Sequence, residues 1–302
     1  MIQTAAANNE RVALTSSGDA AVDYAVRAAR AFTGKAGVAV FTGSVQRKND
    51  IDDVTTILPY GHPAAIDQIR RRHRELAAVL IEPVRAADPS LARAAWLHGV
   101  MDVCRDTGVL LILDERQTGF RLAYGGAQEI LGVMSDLVVY GRAVGGGLPL
   151  GAVAGRTEVM AAPSINGGID DPCGSQPLSV NPLSITAGTA ALRYMYDNRA
   201  TLYPALNEAG RTLADNINTF IRTEGLPAEM RCAGSMFRIS FAGAPQAEGV
   251  FSILLLSRGV LTLPGQRGFL SSAHTSADLE HVREAVTDSL RDLRDDGVFS
   301  QN

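Results

Sequence analysis

GVLLILDERQTG, residues 108–119, is the stretch that decides the fold. Val109 to Leu113 form an unbroken apolar run that ends in Asp114-Glu115. Such a run, followed at once by acids, is the pattern of a strand buried on both faces of a parallel sheet. Working outward, LAAVLIEPV (76–84), GVAVF (37–41), SDLVVYG (135–141) and LGAVAGR (150–156) read as further strands, with RVALT (11–15) as a short extended segment. Between them lie helical patterns at about 20–32, 63–75 and 90–107, and a polar stretch at 42–56 that reads as a loop. Strands alternating with helices at this spacing predict a mostly parallel sheet covered by helices on both sides. Ligands bind beyond the carboxyl ends of strands in such sheets. Glu82, Asp114 and Gly141-Arg142 fall at three of those ends.

From Asn181 the pattern changes. A long helical segment runs to Thr223. Strand-like pieces follow at 230–232 and 236–241, then a helix at 246–257, a GVLTL strand (259–263) and a last helix at 276–294. The reading is a large α/β domain over residues 1–190, then a connecting helix and a small α+β domain over 191–302. The chain has 302 residues, 46% of them apolar and 20% charged, with a net charge of −4. That balance fits a globular core and offers no basic surface for nucleic acid. The cluster Arg70-Arg71-Arg72-His73-Arg74 reads as a solvated helix face. No apolar run approaches a membrane span, the N-terminus lacks a signal-peptide pattern, and Cys104, Cys173 and Cys232 show neither metal nor disulfide spacing. A cytoplasmic protein without a metal site is expected. Only two lysines occur, Lys35 and Lys48.

Three separated blocks carry a specific resemblance: TSSGDAAVDYAVRAARAFTG (15–34), DERQTGFRLAYGGAQEILGVMSDLVVYGRAVGGGLPLGAVAGR (114–156), and GSMFRISF with GVLTLPGQRGFLSSAHTSADLE (234–241 and 259–280). Together they resemble the class III aminotransferases, and within them the glutamate-1-semialdehyde aminomutase group. The resemblance runs from about Arg11 to Leu293. It implies fold type I: a mostly parallel large-domain sheet with helices on both faces and a small C-terminal α+β domain, here lacking the family's usual N-terminal segment. It also implies a dimer, with both subunits contributing to each site.

The family's chemistry assigns roles by position. Asp114 matches the aspartate that pairs with the pyridine nitrogen of pyridoxal phosphate (PLP), and Gln117 the glutamine beside the ring hydroxyl. Ser17-Gly18 match the start of the phosphate loop at a helix N-terminus. Other positions depart from the pattern. Arg142 stands where the cofactor-binding lysine of Lys-x-x-Gly-Gly-Gly is expected. A guanidinium stays protonated and has no lone pair to attack an aldehyde, although it binds carboxylate or phosphate well. Val45-Gln46 replace the Tyr-His pair that supplies the ring stacker. Pro177 replaces a phosphate-binding threonine, and Asp19 replaces the loop threonine, where its charge repels a phosphate unless a cation compensates.

These departures lead to an expectation of no cofactor, with PLP or pyridoxamine phosphate as the lesser alternative. Asp114, Arg142, Glu82 and Gln117 are the candidate catalytic residues. Ser17, Gly18, Asp19, Gln46, Asp114 and Gln117 are the candidate cofactor contacts if a PLP-type ligand binds. Several readings stay open. Arg142 either binds a substrate anion or pairs with Asp114. Glu82 and His274 read more readily as structural. Of Glu115 and Arg116, alternation points at least one away from the cleft. Lys48 as a migrated catalytic lysine is the remotest reading. Three functions follow: a repurposed enzyme running PLP-independent cyclisation, isomerisation or dehydration of a small, anionic intermediate; a non-catalytic homologue serving as dimer partner or binding protein; and a pyridoxamine-phosphate enzyme without the lysine. Neither nucleic acid nor membrane is an expected partner.

Overall fold

A computed structural model describes residues 1–43, 55–91, 93–161, 180–263, 265 and 267–300. The chain divides into two compact units. The first comprises Met1–Arg85 and Leu91–Arg199, the second Ala86–Ser90 and Ala200–Asn302. The expected boundary at residue 190 therefore falls inside a helix of the first unit, and a short segment from the large-domain half of the sequence joins the second.

The first unit is built on a seven-stranded sheet. Its strands are β1 (Arg11–Thr15), β2 (Gly37–Phe41), β3 (Thr55–Leu58), β4 (Leu76–Ile81), β5 (Leu110–Glu115), β6 (Leu137–Tyr140) and β7 (Gly151–Gly155), in the order β1-β7-β6-β5-β4-β2-β3. β2 through β6 pair in parallel, while β7 is antiparallel to both β6 and β1. Only β7 thus runs against the rest, so β1, β4, β5 and β6 all point their carboxyl ends the same way. Every residue of β2, β4, β5, β6 and β7 is buried, as their apolar sequences require. Helix α1 (Gly18–Thr33) lies on this sheet through Ala21, Ala25, Ala28 and Ala29, small side chains that let the helix approach closely. Ser17 caps its start by accepting from the Ala20 amide, and Gly34 ends it in the left-handed region. Helices α2 (Pro63–Arg72), α3 (Ala94–Thr107), α4 (Gly126–Leu131), α5 (Thr157–Met160) and α6 (Pro182–Asp197) complete the unit.

The structure corrects the sequence in four places. β3 occupies part of the expected 42–56 loop: TTIL is only four residues long and sits at the sheet edge, where Ile57 stays half-exposed. α4 was not foreseen at all. The long helix from Asn181 is two helices, α6 and α7 (Arg199–Thr223), broken at Asn198, whose backbone and side-chain N–H groups both turn back to the Tyr194 carbonyl. In the second unit GVLTL forms no strand. Leu261 there is largely exposed, and the pairing falls instead to β10 (Arg267–Phe269). Gly268 permits this, because any Cβ there would overlap the Phe237 ring. β10 completes a three-stranded antiparallel sheet with β8 (Ala228–Ala233) and β9 (Met236–Phe241). α8 (Ala247–Ser257) and α9 (Ser276–Asp295) close a core around Phe251, Ile217 and Leu290.

Candidate active site

The carboxyl ends of β1, β4, β5 and β6 bring Gly18, Asp19, Glu82, Asp114, Gln117 and Arg142 around one cavity of about 330 Å³. All six were candidates from the sequence. Two further residues line it, Arg116 and Gly141. Ser17 stands beside it as the cap of α1. Gln46, with Val45, Lys48 and Pro177, lies outside the described residues.

At the end of β5 the side chains alternate, and this separates the two acids. Glu115 turns into the protein interior and is fully buried. Its carboxylate accepts from Thr118 Oγ1 at 2.7 Å, Ala127 N at 2.8 Å and Gln128 N at 2.9 Å, so it caps the first turn of α4. Gly126 sits against this carboxylate with φ +77°, leaving no room for a Cβ. Burial pushes the Glu115 carboxyl up to about 7, the three donors opposing the shift. Glu115 is therefore a structural acid and has no part in the cleft.

Asp114 and Arg116, two apart, share the opposite face. The Asp114 carboxylate is nearly buried and is gripped on both oxygens: Arg116 Nε reaches Oδ1 at 2.9 Å and Nη2 reaches Oδ2 at 2.7 Å, with the Arg116 amide on Oδ1 at 3.1 Å. The other end of the guanidinium donates through Nη1 to Asp19, in the first turn of α1. Burial opposes the charge on Arg116, but Asp114, Asp19 and Glu82 outweigh it and hold the guanidinium above its ordinary pKa. This answers the open question about Asp114: the arginine that grips it in this bidentate way is Arg116.

The arginine stem needs the two glycines beside it. A Cβ on Gly18 would lie 2.9 Å from Arg116 Cδ, and one on Gly141 would lie 3.3 Å from the Gly18 Cα. The backbones of the β1–α1 and β6 ends thus meet under the Arg116 side chain. Beyond Gly141, Arg142 opens a 3-10 turn (Arg142–Gly145) with φ +43°, an uncommon conformation for an arginine. Its side chain is exposed at the cavity rim. Gln117 Oε1 is buried with no hydrogen-bond partner among the described residues.

Other candidates lie elsewhere. Lys35 follows the far end of α1, where its Nζ donates to the His73 carbonyl at 2.8 Å. His274 belongs to the second unit and closes a local turn, its Nδ1 3.0 Å from the Ser271 amide. Among the described residues no cluster of three His, Cys, Asp or Glu side chains is placed to hold a metal, and no helix is long and apolar enough to cross a membrane. Arg116 is the site residue that sequence reading missed as a cleft member. The signal was present: positions 114 and 116 have the same parity on one strand end.

Comparison with known proteins bears on what this cavity holds. The family model described as "Aminotransferase class-III" matches residues 61–275. The chain is 34% identical to a glutamate-1-semialdehyde 2,1-aminomutase from Methanoregula boonei, over 93% of this chain and 75% of that protein. Among solved structures it resembles an omega-transaminase from Sphaerobacter thermophilus, with 27% identity and a TM-score of 0.84, covering 97% of this chain and 76% of the other. It also resembles a transaminase solved with PLP bound, at 26% identity and a TM-score of 0.82, covering 99% of this chain and 76% of that one. The expectation of no cofactor is overturned by these relatives, which point to PLP. That expectation rested on the departures read at Arg142, Val45-Gln46, Asp19 and Pro177.

Proposed function

The chain belongs to the class III aminotransferase family, and from that premise we propose that its cleft holds PLP, or the amine form of it, without a covalent lysine link. The observation that carries this reading is Gln117 Oε1, a buried acceptor without a partner among the described residues, in the same cavity as the buried Asp114 carboxylate. A buried polar atom is costly unless it is satisfied, and a ring hydroxyl would satisfy this one. The residues present fit the group once the Arg116 guanidinium leaves the Asp114 carboxylate. Asp114 would take the pyridine N–H. The first turn of α1, capped by Ser17, would face the phosphate with its N–H groups and the positive end of the helix dipole.

When bound, PLP supplies an electron sink for bonds at the carbon bearing an amino group. The chain's own groups do the rest. Arg142 fixes a carboxylate or phosphate of a small substrate at the rim by bidentate hydrogen bonds. It does not move protons, since a guanidinium keeps its own. Glu82, buried in the lining of the same cavity as Arg116, is the carboxylate we assign to proton transfer. The substrate class is a small amino or oxo acid. We place the protein in the cytoplasm, as a homodimer. Exposed Leu183, Ile185 and Tyr194 along α6 supply apolar surface for a second copy.

Absorbance titration with PLP tests the reading. A saturable spectral change is expected. Treatment of the loaded protein with borohydride should leave no cofactor mass attached to Lys35 or Lys48. A covalent adduct on either lysine, or no saturable change with PLP or pyridoxamine phosphate, would sink the reading.

A further inference from the structure

We propose that the ladder Asp19–Arg116–Asp114 is a built-in substitute for the cofactor's own charges, and that PLP enters the cleft only as the Arg116 side chain gives way. The inference rests on the reading that this cleft binds PLP. It starts from what a pyridoxal phosphate presents: a pyridine N–H that pairs with a buried carboxylate, and at the other end a phosphate that suits a helix N-terminus. Both places are already taken by side chains of this protein. The Arg116 guanidinium covers both oxygens of Asp114. The Asp19 carboxylate stands in the first turn of α1, where an anion is favoured, and is held there by the other end of the same guanidinium. Between the two ends the Arg116 stem lies on Gly18, with its Cδ only 2.9 Å from where a Cβ would be, closer than ordinary contact allows.

The two ends behave differently on exchange. At Asp114 a pyridinium replaces a guanidinium, so a buried carboxylate keeps a cationic partner. At α1 a phosphate arrives beside Asp19, and two anions meet unless a guanidinium remains between them. Arg116 is thus a positioning residue that competes with the ring, and Asp19 one that opposes the phosphate. The competition weakens PLP binding and favours ligands that bring their own strong rim contact, such as a substrate carboxylate on Arg142.

PLP and unphosphorylated pyridoxal are titrated, by absorbance, into wild type, Asp19→Thr and the double variant Arg116→Met/Asp19→Thr. The expected result is at least tenfold tighter PLP binding by the double variant than by wild type. Asp19→Thr alone should tighten PLP severalfold while leaving pyridoxal unchanged, a separation that a general loss of structure would not produce. The ligand-free double variant should melt lower than wild type and gain more from PLP. Equal dissociation constants for PLP across the three proteins, or weaker binding by the variants, would overturn the competition and leave the cofactor reading standing. No binding by any of the three would overturn both. If the double variant does not fold, the PLP-to-pyridoxal contrast in Asp19→Thr decides the proposal alone.

Discussion

At Asp114 a buried carboxylate depends on one guanidinium for its charge balance. Removing one partner of such a pair leaves the other desolvated, so Asp114→Asn should cost about 3 kcal/mol in urea unfolding and abolish the PLP-induced spectral change. Retained PLP binding in Asp114→Asn would remove Asp114 from the cofactor site. Glu115, its neighbour, gives a pH signature. Its folded carboxyl is raised from 4.5 to about 7, so the unfolded chain loses this proton first. The stability that protonated Glu115 contributes is complete below about pH 4.5 and is lost as pH rises through 7, on the order of 3 kcal/mol in all. Urea midpoints measured from pH 4.5 to 8 should fall through this window in wild type and fall less in Glu115→Gln. Parallel curves would assign the proton elsewhere. Asp114 was legible in the sequence because a charged residue ending an apolar strand has few explanations. The partner of Asp114 was not, because parity along a strand end shows which side chains share a face but not which of two arginines reaches across it.

The β1–α1 junction joins the stability of an element to ligand binding. Ser17 accepts from the Ala20 amide at 3.1 Å, and Ser17→Ala should cost about 1 kcal/mol as a lost N-cap. Ser17→Gly should cost only a few tenths, since glycine tolerates the cap conformation. If α1 also holds the phosphate, both variants should weaken PLP more than pyridoxal. Equal weakening of the two ligands would detach α1 from phosphate binding. Elements with strong periodicity or unbroken apolar runs, such as β4, β5 and α9, read clearly in the sequence. β3, α4 and β10 did not, each being only three to six residues long. Short elements owe their existence to neighbours: β3 to the open edge of β2, β10 to β9, and α4 to the Glu115 carboxylate that caps it.

For the molecule as a whole, a ligand that binds only the folded state raises apparent stability by mass action. At a hundredfold excess of PLP over its dissociation constant the gain should be about 2.7 kcal/mol. Calorimetry should show a rise in the melting temperature of the first unit, whose residues line the cleft, and no rise in Asp114→Asn. A rise of equal size in both proteins would place the binding outside this cavity. The proposed homodimer should appear as a mass of two chains by sedimentation. A monomer at all concentrations would rule it out.

The sequence alone determined the class of this protein. Apolar runs ending in polar residues fixed a largely parallel sheet and the edge where a site must lie, because burial on both faces leaves little freedom in composition. It also shows two lysines, and Arg142 where the resemblance leads one to expect another. Only the tertiary structure decided how the charges are shared. Asp19 and Arg116 are almost a hundred residues apart, as the separation of 97 records, and they meet because β1 and β5 end at one edge of the sheet. That meeting depends on the strand order and on the bare backbones of Gly18 and Gly141, and neither shows in a linear pattern.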